Sequence, residues 1–427
     1  MKITYDKCAF AYLILLLIYI LLGSILYCYA LIDSMIFSNI LIVFGIVGLV
    51  LYIVNKFKVK RLFIHDIFVM LLIIFGFFSF YYSYIRYVAL LGFKSGREGL
   101  LVIVTYYIIF LVSTTLKNKD YKKWCINILT IIGLLNVFYG ILQGLDLESY
   151  LPIVGIYGYP SGFFSNSNFY GSFMTIMCGI YLTKFLYNST FHLKYFLLFN
   201  IFLLGLLLSG AMSAFVGFLF MLFFLFFLYI FMKKKNKNII VVDKFKKIIL
   251  LLASFFVLLF VVNALTNVEY ISDVQEMGNE IVSSVNGEID ENMGSGRLYI
   301  WKESMRYFTK YNYWNTGIGI DNFMYIGNGK LIIDSNSGDI IYKAHNEYLQ
   351  ILVCEGIFKL LVYLSFLGYI FFKAISYLKS NKVVEKNYLA LFIAFCGYCV
   401  QAFFNISITR VAPIFYMITG FIVGEFD

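Results

Sequence analysis

The chain has 427 residues, of which 61% are hydrophobic and 14% are charged, whereas soluble domains carry about 25% charged residues. This composition excludes a soluble globular domain. The net charge of +10 does not indicate nucleic-acid binding, because the basic residues lie in short loops between apolar runs. Those runs are about 20 residues long, enough to cross the hydrocarbon core, and they predict an all-α polytopic membrane protein.

We predict twelve transmembrane helices and one large extracytoplasmic loop that contains short helices. Residues 1–264 would hold helices one to nine, residues 265–346 the loop with the active-site motifs, and residues 347–427 helices ten to twelve. The predicted spans lie near residues 9–32, 37–54, 63–83, 98–116, 124–145, 168–186, 195–209, 212–232, 248–264, 348–372, 388–405 and 411–424.

The basic residues predict the orientation of these spans. Of the 34 lysines and arginines, 23 fall in loops on one side, which is the cytoplasmic side by the positive-inside rule, so both termini are expected inside. Lys359 is left inside the tenth span with Glu355 one turn before it, and the two can pair across i,i+4. An alternative is that this pair lies near the outer interface and snorkels.

A first outer feature is the loop Tyr159–Asn168, which has no basic residue and precedes the sixth span. Asn166 and Asn168 could bind sugar hydroxyls, and the aromatic residues could stack on sugar faces. In the alternative interpretation, Ser167 or Asn168 simply caps the sixth span.

The second outer feature is the loop at residues 265–346, which has 11 acidic and 6 basic residues. Its first half, Glu269–Ser295, is polar, contains the turn signal Asn286-Gly287, and could form a mobile flap. After it, Trp301, Met305 and Phe308 recur at i, i+4 and i+7, which predicts an amphipathic helix capped by Ser295 or Gly296.

Arg297 falls in the first turn of that predicted helix. A helix N-terminus offers free N–H groups and a positive dipole end, so a guanidinium beside it completes an anion site. A salt bridge to one of the nearby carboxylates is an equally good interpretation.

His345 is the only one of three histidines that faces outward in this topology, because His65 and His192 fall on the cytoplasmic side. Asn346 is a plausible N-cap of the tenth span. A histidine beside a helix start and near cations should stay neutral, and a neutral imidazole can take a proton from an attacking hydroxyl. A buried interfacial histidine with ordinary hydrogen bonds is the alternative.

Together these residues resemble the O-antigen ligase and polymerase family of bacterial membrane glycosyltransferases. The likeness is strongest over Phe163–Leu361. It rests on the order and spacing of these motifs: Gly162-Phe-Phe-Ser-Asn-Ser-Asn168, Gly296-Arg297 with Trp301, Gly317-x-Gly319, His345-Asn346-x-x-Leu349 and Glu355-Gly356.

The resemblance implies transfer of a sugar chain from undecaprenyl pyrophosphate to a hydroxyl of an acceptor glycan at the outer face of the cytoplasmic membrane, without nucleotide sugar, metal or other cofactor. In the family's ligases, the histidine matching His345 is thought to act as base, and arginines, one of them matching Arg297, hold the pyrophosphate. Expected partners are the lipid-linked donor and acceptor glycans, the bilayer, a flippase and a chain-length regulator, with no nucleic acid.

Two positions depart from the family pattern. Met212 stands where members often have an arginine, and Lys359 stands where they have a second glycine after the one matching Gly356. Another outward arginine, Arg410 or Arg97, would replace the missing one, or catalysis differs.

The predicted site therefore has His345 and Arg297 as catalytic residues. The predicted substrate-binding residues are Arg410, Arg97, Arg306, Asn346, Asn168 and Trp301. The predicted function is polymerisation of lipid-linked repeat units into O-antigen, capsular polysaccharide or exopolysaccharide. The alternatives are a ligase that transfers the finished glycan to lipid A core or protein, and a flippase or transporter of lipid-linked oligosaccharides.

Overall fold

The computed structural model describes a helical protein. It covers residues 2–93, 96–147, 159–188, 190–233, 242–266, 268, 272, 275–276, 278–279, 296–328, 332–333, 340–380 and 385–426. Within these ranges there is no strand, and the one β-type contact is an isolated bridge between Ile333 and Ile340. The all-α prediction is therefore confirmed for the described part of the chain.

Fourteen α-helices are described, and they follow the apolar runs of the sequence. They are α1 (Lys2–Cys28), α2 (Ser34–Val59), α3 (Ile64–Tyr81), α4 (Arg86–Leu91), α5 (Leu100–Thr115), α6 (Lys119–Gly144), α7 (Ser167–Leu186), α8 (Leu193–Leu208), α9 (Met212–Lys233), α10 (Val242–Leu265), α11 (Arg297–Lys310), α12 (Glu347–Ser380), α13 (Lys386–Gln401) and α14 (Ala412–Val423). Short 3₁₀ turns lie at Gly162–Phe164, Phe323–Tyr325 and Ala402–Phe404.

Eight of the described helices are long and apolar enough to cross a membrane: α1, α2, α3, α6, α7, α10, α12 and α13. Four shorter apolar helices, α5, α8, α9 and α14, coincide with the other four predicted spans. The protein is thus a multi-pass membrane protein. The total of twelve crossings and the division at residues 264 and 346 remain predictions.

The bundle has two groups of helices. In one group, α7 packs against α8, α9 and α13, while α10 packs mainly on α8 at the periphery. In the other group, α5 packs against α2, α3 and α14, and α3 packs against α12. Contacts between α13 and α14 join the groups, so the chain segment between these two helices lies where the groups meet.

The two ends of the bundle differ in charge. At one end, two lysines in the first turns of α6 form ion pairs: Lys119 pairs with Glu385, just before α13, at 2.6 Å, and Lys122 pairs with Glu425, just after α14, at 2.5 Å. The opposite end collects the loops after α1, α4, α6 and α13. By the positive-inside rule we expect this second end to be the outer one.

Helix α12 is broken at Gly356, whose φ of 85° and ψ of 171° lie outside the helical region. The chain at Gly317-Ile318-Gly319 packs against this break. The N–H groups of Ile318 and Gly319 donate to the carbonyls of Val353 at 3.0 Å and Cys354 at 2.9 Å. The break thus leaves these buried carbonyls paired, as backbone inside a bundle requires.

The two glycine motifs therefore have a common structural reason. A Cβ on Gly317 would overlap the backbone of Cys354, and a Cβ on Gly356 would overlap the carbonyl of Asn315. Both glycines also have positive φ, which other residues adopt only with strain. The chain at residues 317–319 thus packs into the bundle beside the break in α12.

Lys359 lies just beyond this break, and the predicted pair with Glu355 is present at 3.0 Å. The snorkelling interpretation is wrong, because the Lys359 side chain is only 1% exposed. Its ammonium also donates to the carbonyl of Leu72 at 2.6 Å. The lysine in place of a family glycine therefore ties α12 to α3.

Candidate functional site

Two adjoining cavities lie at the end of the bundle that we expect to face outward. The first, which we call the arginine cavity, has a volume of about 100 Å³ and is lined by Arg410, Lys343, Thr409, Tyr27 and Phe169 among others. The second, the glutamate cavity, has a volume of about 60 Å³ and is lined by Glu347, Gln350, Glu355 and several tyrosines. Glu98, Asp321, Lys343 and Ile406 line both, so they form a shared wall.

Arg410 lies between α13 and α14 and contacts only neutral groups. Its guanidinium donates to the hydroxyl of Ser165 at 3.0 Å and lies over the ring of Tyr27 at 4.2 Å. Among the described residues, no carboxylate pairs with Arg410. Burial lowers the pKa of Arg410, but a guanidinium stays charged in proteins. The cavity therefore holds a half-buried cation with no acidic partner in the described chain.

The loop before α7, which contacts Arg410 through Ser165, is held in place by its own hydrogen bonds. Ser165 has a left-handed backbone conformation (φ 60°), and its hydroxyl also contacts the thiol of Cys28 at 3.0 Å. Gln143 accepts hydrogen bonds from the N–H groups of Ser161 and Gly162, both at 2.9 Å. The predicted outer loop before α7 thus forms one side of the Arg410 environment.

Lys343 has the opposite environment, because two buried carboxylates share it. Its ammonium lies 3.2 Å from Glu98 and 2.7 Å from Asp321. Glu98 also accepts hydrogen bonds from Tyr106 at 2.9 Å and Ser407 at 3.2 Å. The cluster joins three distant parts of the chain at the shared wall.

The charges of this cluster are set by burial and by each other. Burial by itself would lower the pKa of Lys343, but the carboxylates of Asp321 and Glu98 outweigh it and hold the pKa above its ordinary value. Burial raises the pKa of Glu98, against the attraction of Lys343. Lys343 is therefore a fixed cation within a cluster that contains two acids.

The predicted catalytic residues lie beside this region. Arg297 is the first residue of α11, and Gly296 is its N-cap, as predicted. Trp301, one turn later on the same face, donates from its indole to the carbonyl of Ala344 at 3.0 Å and contacts the rings of Phe403 and Phe404. The helix that begins at Arg297 is thus attached to the residue directly before His345.

His345 is half-buried and has a left-handed backbone conformation (φ 49°). Asn346 caps α12 as predicted, because its side chain accepts from the N–H of Leu349 at 3.0 Å. Lys343 and Glu347, on either side of His345 in sequence, both line the glutamate cavity. His345 and Arg297 are not among the residues that line either cavity, so their catalytic roles stay predictions.

The remaining predicted residues have structural partners of their own. The cap of α7 is Asn166, which accepts from the N–H of Asn168 at 2.8 Å, so the prediction of Ser167 or Asn168 as the cap is wrong. Arg306 is 59% exposed and pairs with Glu303 on its own helix. Arg97 neighbours the cluster through Glu98 but does not line the arginine cavity.

Several functional candidates were not found from the sequence. Glu98 and Lys343 are 245 residues apart, and no short-range spacing connects them. Glu347 follows the His345-Asn346 pair directly and could have been noticed as an acid at a helix start. The predicted flap at Glu269–Ser295 lies outside the described residues apart from a few isolated positions, and its Asn286-Gly287 turn lies wholly outside them.

The fold and the cavities define a class of protein: a multi-pass helical membrane protein with two adjoining cavities, lined by charged side chains, at one end of the bundle. Residues 197–364 match the model of a family described as O-Antigen ligase, and this match supports placing the chain in the O-antigen ligase and polymerase family. The matched region runs from α8 into α12 and includes Arg297, Lys343, His345 and Glu347. No curated protein matches the chain.

Proposed function

We propose that the protein is a polysaccharide polymerase that extends lipid-linked glycans at the outer face of the cytoplasmic membrane. It would move a growing chain from undecaprenyl pyrophosphate to a hydroxyl of a new lipid-linked repeat unit. The family match supports transfer of glycans of the O-antigen type. The polyprenyl diphosphate donor and the polymerase reaction are the parts that we add.

The observation that carries the proposal is the environment of Arg410. A half-buried guanidinium whose described contacts are a hydroxyl and an aromatic ring loses part of its solvation, and the described residues supply no anion in return. A phosphate oxygen in the arginine cavity would supply that anion. Guanidinium groups also match phosphate geometry through paired N–H donors.

This environment supports Arg410 over Arg97 as the substitute for the arginine that is absent at Met212. Arg410 lines the cavity, whereas Arg97 does not. Arg410 would bind the donor diphosphate and stabilise the charge that develops on the leaving group. Arg297, at the N-terminus of α11, does not line this cavity, so its part in binding the diphosphate is expected from the sequence alone.

The attacking hydroxyl also needs a base, and the start of α12 is the place where we expect it. The sequence prediction assigns this role to His345. The indole of Trp301 donates to the carbonyl of Ala344 and so holds the chain that leads into α12 against α11. Removal of a well-placed base should slow transfer by roughly 10²–10⁴-fold.

The test is an assay of chain growth with purified protein and lipid-linked repeat units. Wild-type protein should build a ladder of longer glycans, and Arg410→Ala should build almost none. Undiminished chain growth by His345→Ala would defeat the assignment of His345 as the base. Absence of any ladder with the wild-type protein would reject the polymerase.

A ligase is the nearest alternative, because the matched family carries that description. Deletion of the gene separates the two activities. Accumulation of single lipid-linked repeats would indicate a lost polymerase, and accumulation of full-length lipid-linked chains would indicate a lost ligase.

A further inference from the structure

Glu347, which lines the glutamate cavity, has a hydrogen-bond partner for only one of its two carboxylate oxygens in the described part of the chain. It is the first residue of α12, and it is only 7% exposed. One oxygen, Oε1, accepts a hydrogen bond from the hydroxyl of Tyr363 at 2.8 Å. The other oxygen, Oε2, is buried and has no hydrogen-bond partner in the described part of the chain. Buried carboxylate oxygens are normally paired, so this oxygen lacks a donor.

The other charged groups in this cavity already have partners. Lys343 lies between Glu98 and Asp321, and Glu355 pairs with Lys359 at 3.0 Å. None of the described cations forms an ion pair with Glu347. A hydroxyl group that enters the cavity could supply the donor that Oε2 lacks.

The position of the cavity suggests which molecule this is. The glutamate and arginine cavities share a wall made of Glu98, Asp321, Lys343 and Ile406. A donor whose diphosphate contacts Arg410 would bring its sugar to this wall. A hydroxyl in the glutamate cavity would then meet the sugar at this wall, next to Glu347.

We infer that Glu347 is a catalytic residue that accepts the proton of the attacking acceptor hydroxyl, in place of His345. This inference rests on the proposed function and identifies its base. The hydroxyl oxygen forms the new bond to the anomeric carbon of the donor, and its proton passes to Oε2 of Glu347. The bond from that carbon to the phosphate oxygen breaks, and the electron pair leaves with the lipid diphosphate. The proton then returns to solvent.

Carboxylates serve as general bases for the attacking water in glycoside hydrolysis, and a sugar hydroxyl presents the same O–H group. The hydrogen bond from Tyr363 would hold the carboxylate group in one orientation, with Oε2 left for the substrate. His345, which does not line the cavity, would then act through the conformation of the turn that leads into α12.

The experiment compares Glu347→Gln with His345→Ala in the chain-growth assay, using the full-length protein. Glutamine keeps the size of the side chain and a carbonyl oxygen that can accept from Tyr363, but it cannot take up the proton. We expect kcat to fall by roughly 10²–10⁴-fold, with KM for the lipid-linked donor unchanged. His345→Ala should have the smaller effect on kcat.

A matched control is Tyr363→Phe, which removes the donor to Oε1 and leaves the carboxylate in place. Its kcat should fall by less than about tenfold, as expected for loss of one neutral donor. If the Gln variant does not fold, Glu347→Asp replaces it, and the retracted carboxylate should then lower kcat without a change in donor KM.

The inference is overturned if Glu347→Gln, or Glu347→Asp where that variant is used, keeps the kcat of the wild type. In that case the proposed function still stands as long as the wild-type protein elongates glycans. A wild-type protein that builds no ladder would reject both the proposed function and this inference. A loss confined to His345→Ala would return the role of base to His345.

Discussion

Arg410 and Lys343 line the same cavity, yet their surroundings are opposite. Lys343 has two carboxylates within 3.2 Å, whereas Arg410 has a hydroxyl and a tyrosine ring. A cation paired with two buried acids stabilises the fold, because its removal leaves those acids buried and unpaired. A cation with neutral partners is available to a ligand. The comparison thus separates a structural charge from a binding charge within one site.

The largest effect should follow from Lys343→Met. The change leaves Glu98 and Asp321 buried without a counter-charge, so we expect a loss of about 3–5 kcal/mol in the free energy of unfolding. Thermal unfolding in detergent measures it. Addition of Glu98→Gln should recover part of the loss, because one of the unpaired acids is then neutral. A fully stable Lys343→Met protein would remove the distinction between the two cations.

The raised pKa of Lys343 gives this prediction a pH dependence. A raised lysine pKa stabilises the fold fully below the unfolded-state pKa of about 10.4, and this stabilisation is lost only as the pH rises through the higher folded-state pKa. The stability difference between wild type and Lys343→Met should therefore not shrink from neutral to mildly alkaline pH. A difference that shrinks in this window would argue against the ion-pair cluster.

Arg410→Ala should show the complementary pattern. Loss of one preorganised donor to a developing negative charge costs roughly 10²–10³-fold in kcat, whereas the thermal midpoint should change little because no described acid is left unpaired. The matched control is Arg86→Ala. Arg86 is an exposed arginine, and its guanidinium lies 5.2 Å from the ring of Tyr81. Equal losses of chain growth in the two variants would mean that the cavity has no special role.

A third prediction concerns the break in α12, which shapes the wall of the glutamate cavity. Gly356→Ala places a Cβ against the carbonyl of Asn315 at a positive φ, so we expect a loss of about 1–3 kcal/mol in stability. Gly368 lies in the same helix with open space at its Cβ position, and Gly368→Ala should be neutral or slightly stabilising. Thermal unfolding of the two variants side by side would refute the broken helix if both behave alike.

The smallest effect should come from Ser165→Ala, which removes the hydroxyl that holds Arg410. We expect about 1 kcal/mol, or roughly a fivefold rise in KM for the lipid-linked donor, with kcat nearly unchanged. The reason is that Tyr27 still covers the guanidinium. A larger loss in kcat than in donor affinity would show that Ser165 acts in some other way.

The fold was largely predictable from the sequence, because apolar runs and helix caps are local signals. The spacing of Trp301, Met305 and Phe308 predicted α11, and the side chain of Asn346 caps α12 as expected. The predicted cap of α7, Ser167 or Asn168, was wrong by one or two residues. Asn166, Ser167 and Asn168 can each cap a helix, and the backbone conformation decides which of them does so.

The site was predictable only in part. Arg410 was a candidate because it is a rare outward cation, but nothing local distinguishes it from Arg97. The structure adds the difference, which is that Arg410 lines a cavity. The Lys343 cluster depends on contacts between segments more than 200 residues apart, and its identification required the packed bundle.

The most direct test of this account is the equilibrium binding of undecaprenyl pyrophosphate to wild-type protein, Arg410→Ala and Arg86→Ala in detergent micelles. A charge-assisted phosphate contact contributes about 1.5–3 kcal/mol, so Arg410→Ala should raise Kd roughly 10–100-fold while Arg86→Ala leaves it unchanged. A Kd for Arg410→Ala equal to that of the wild type would contradict the claim that this cavity binds the lipid diphosphate.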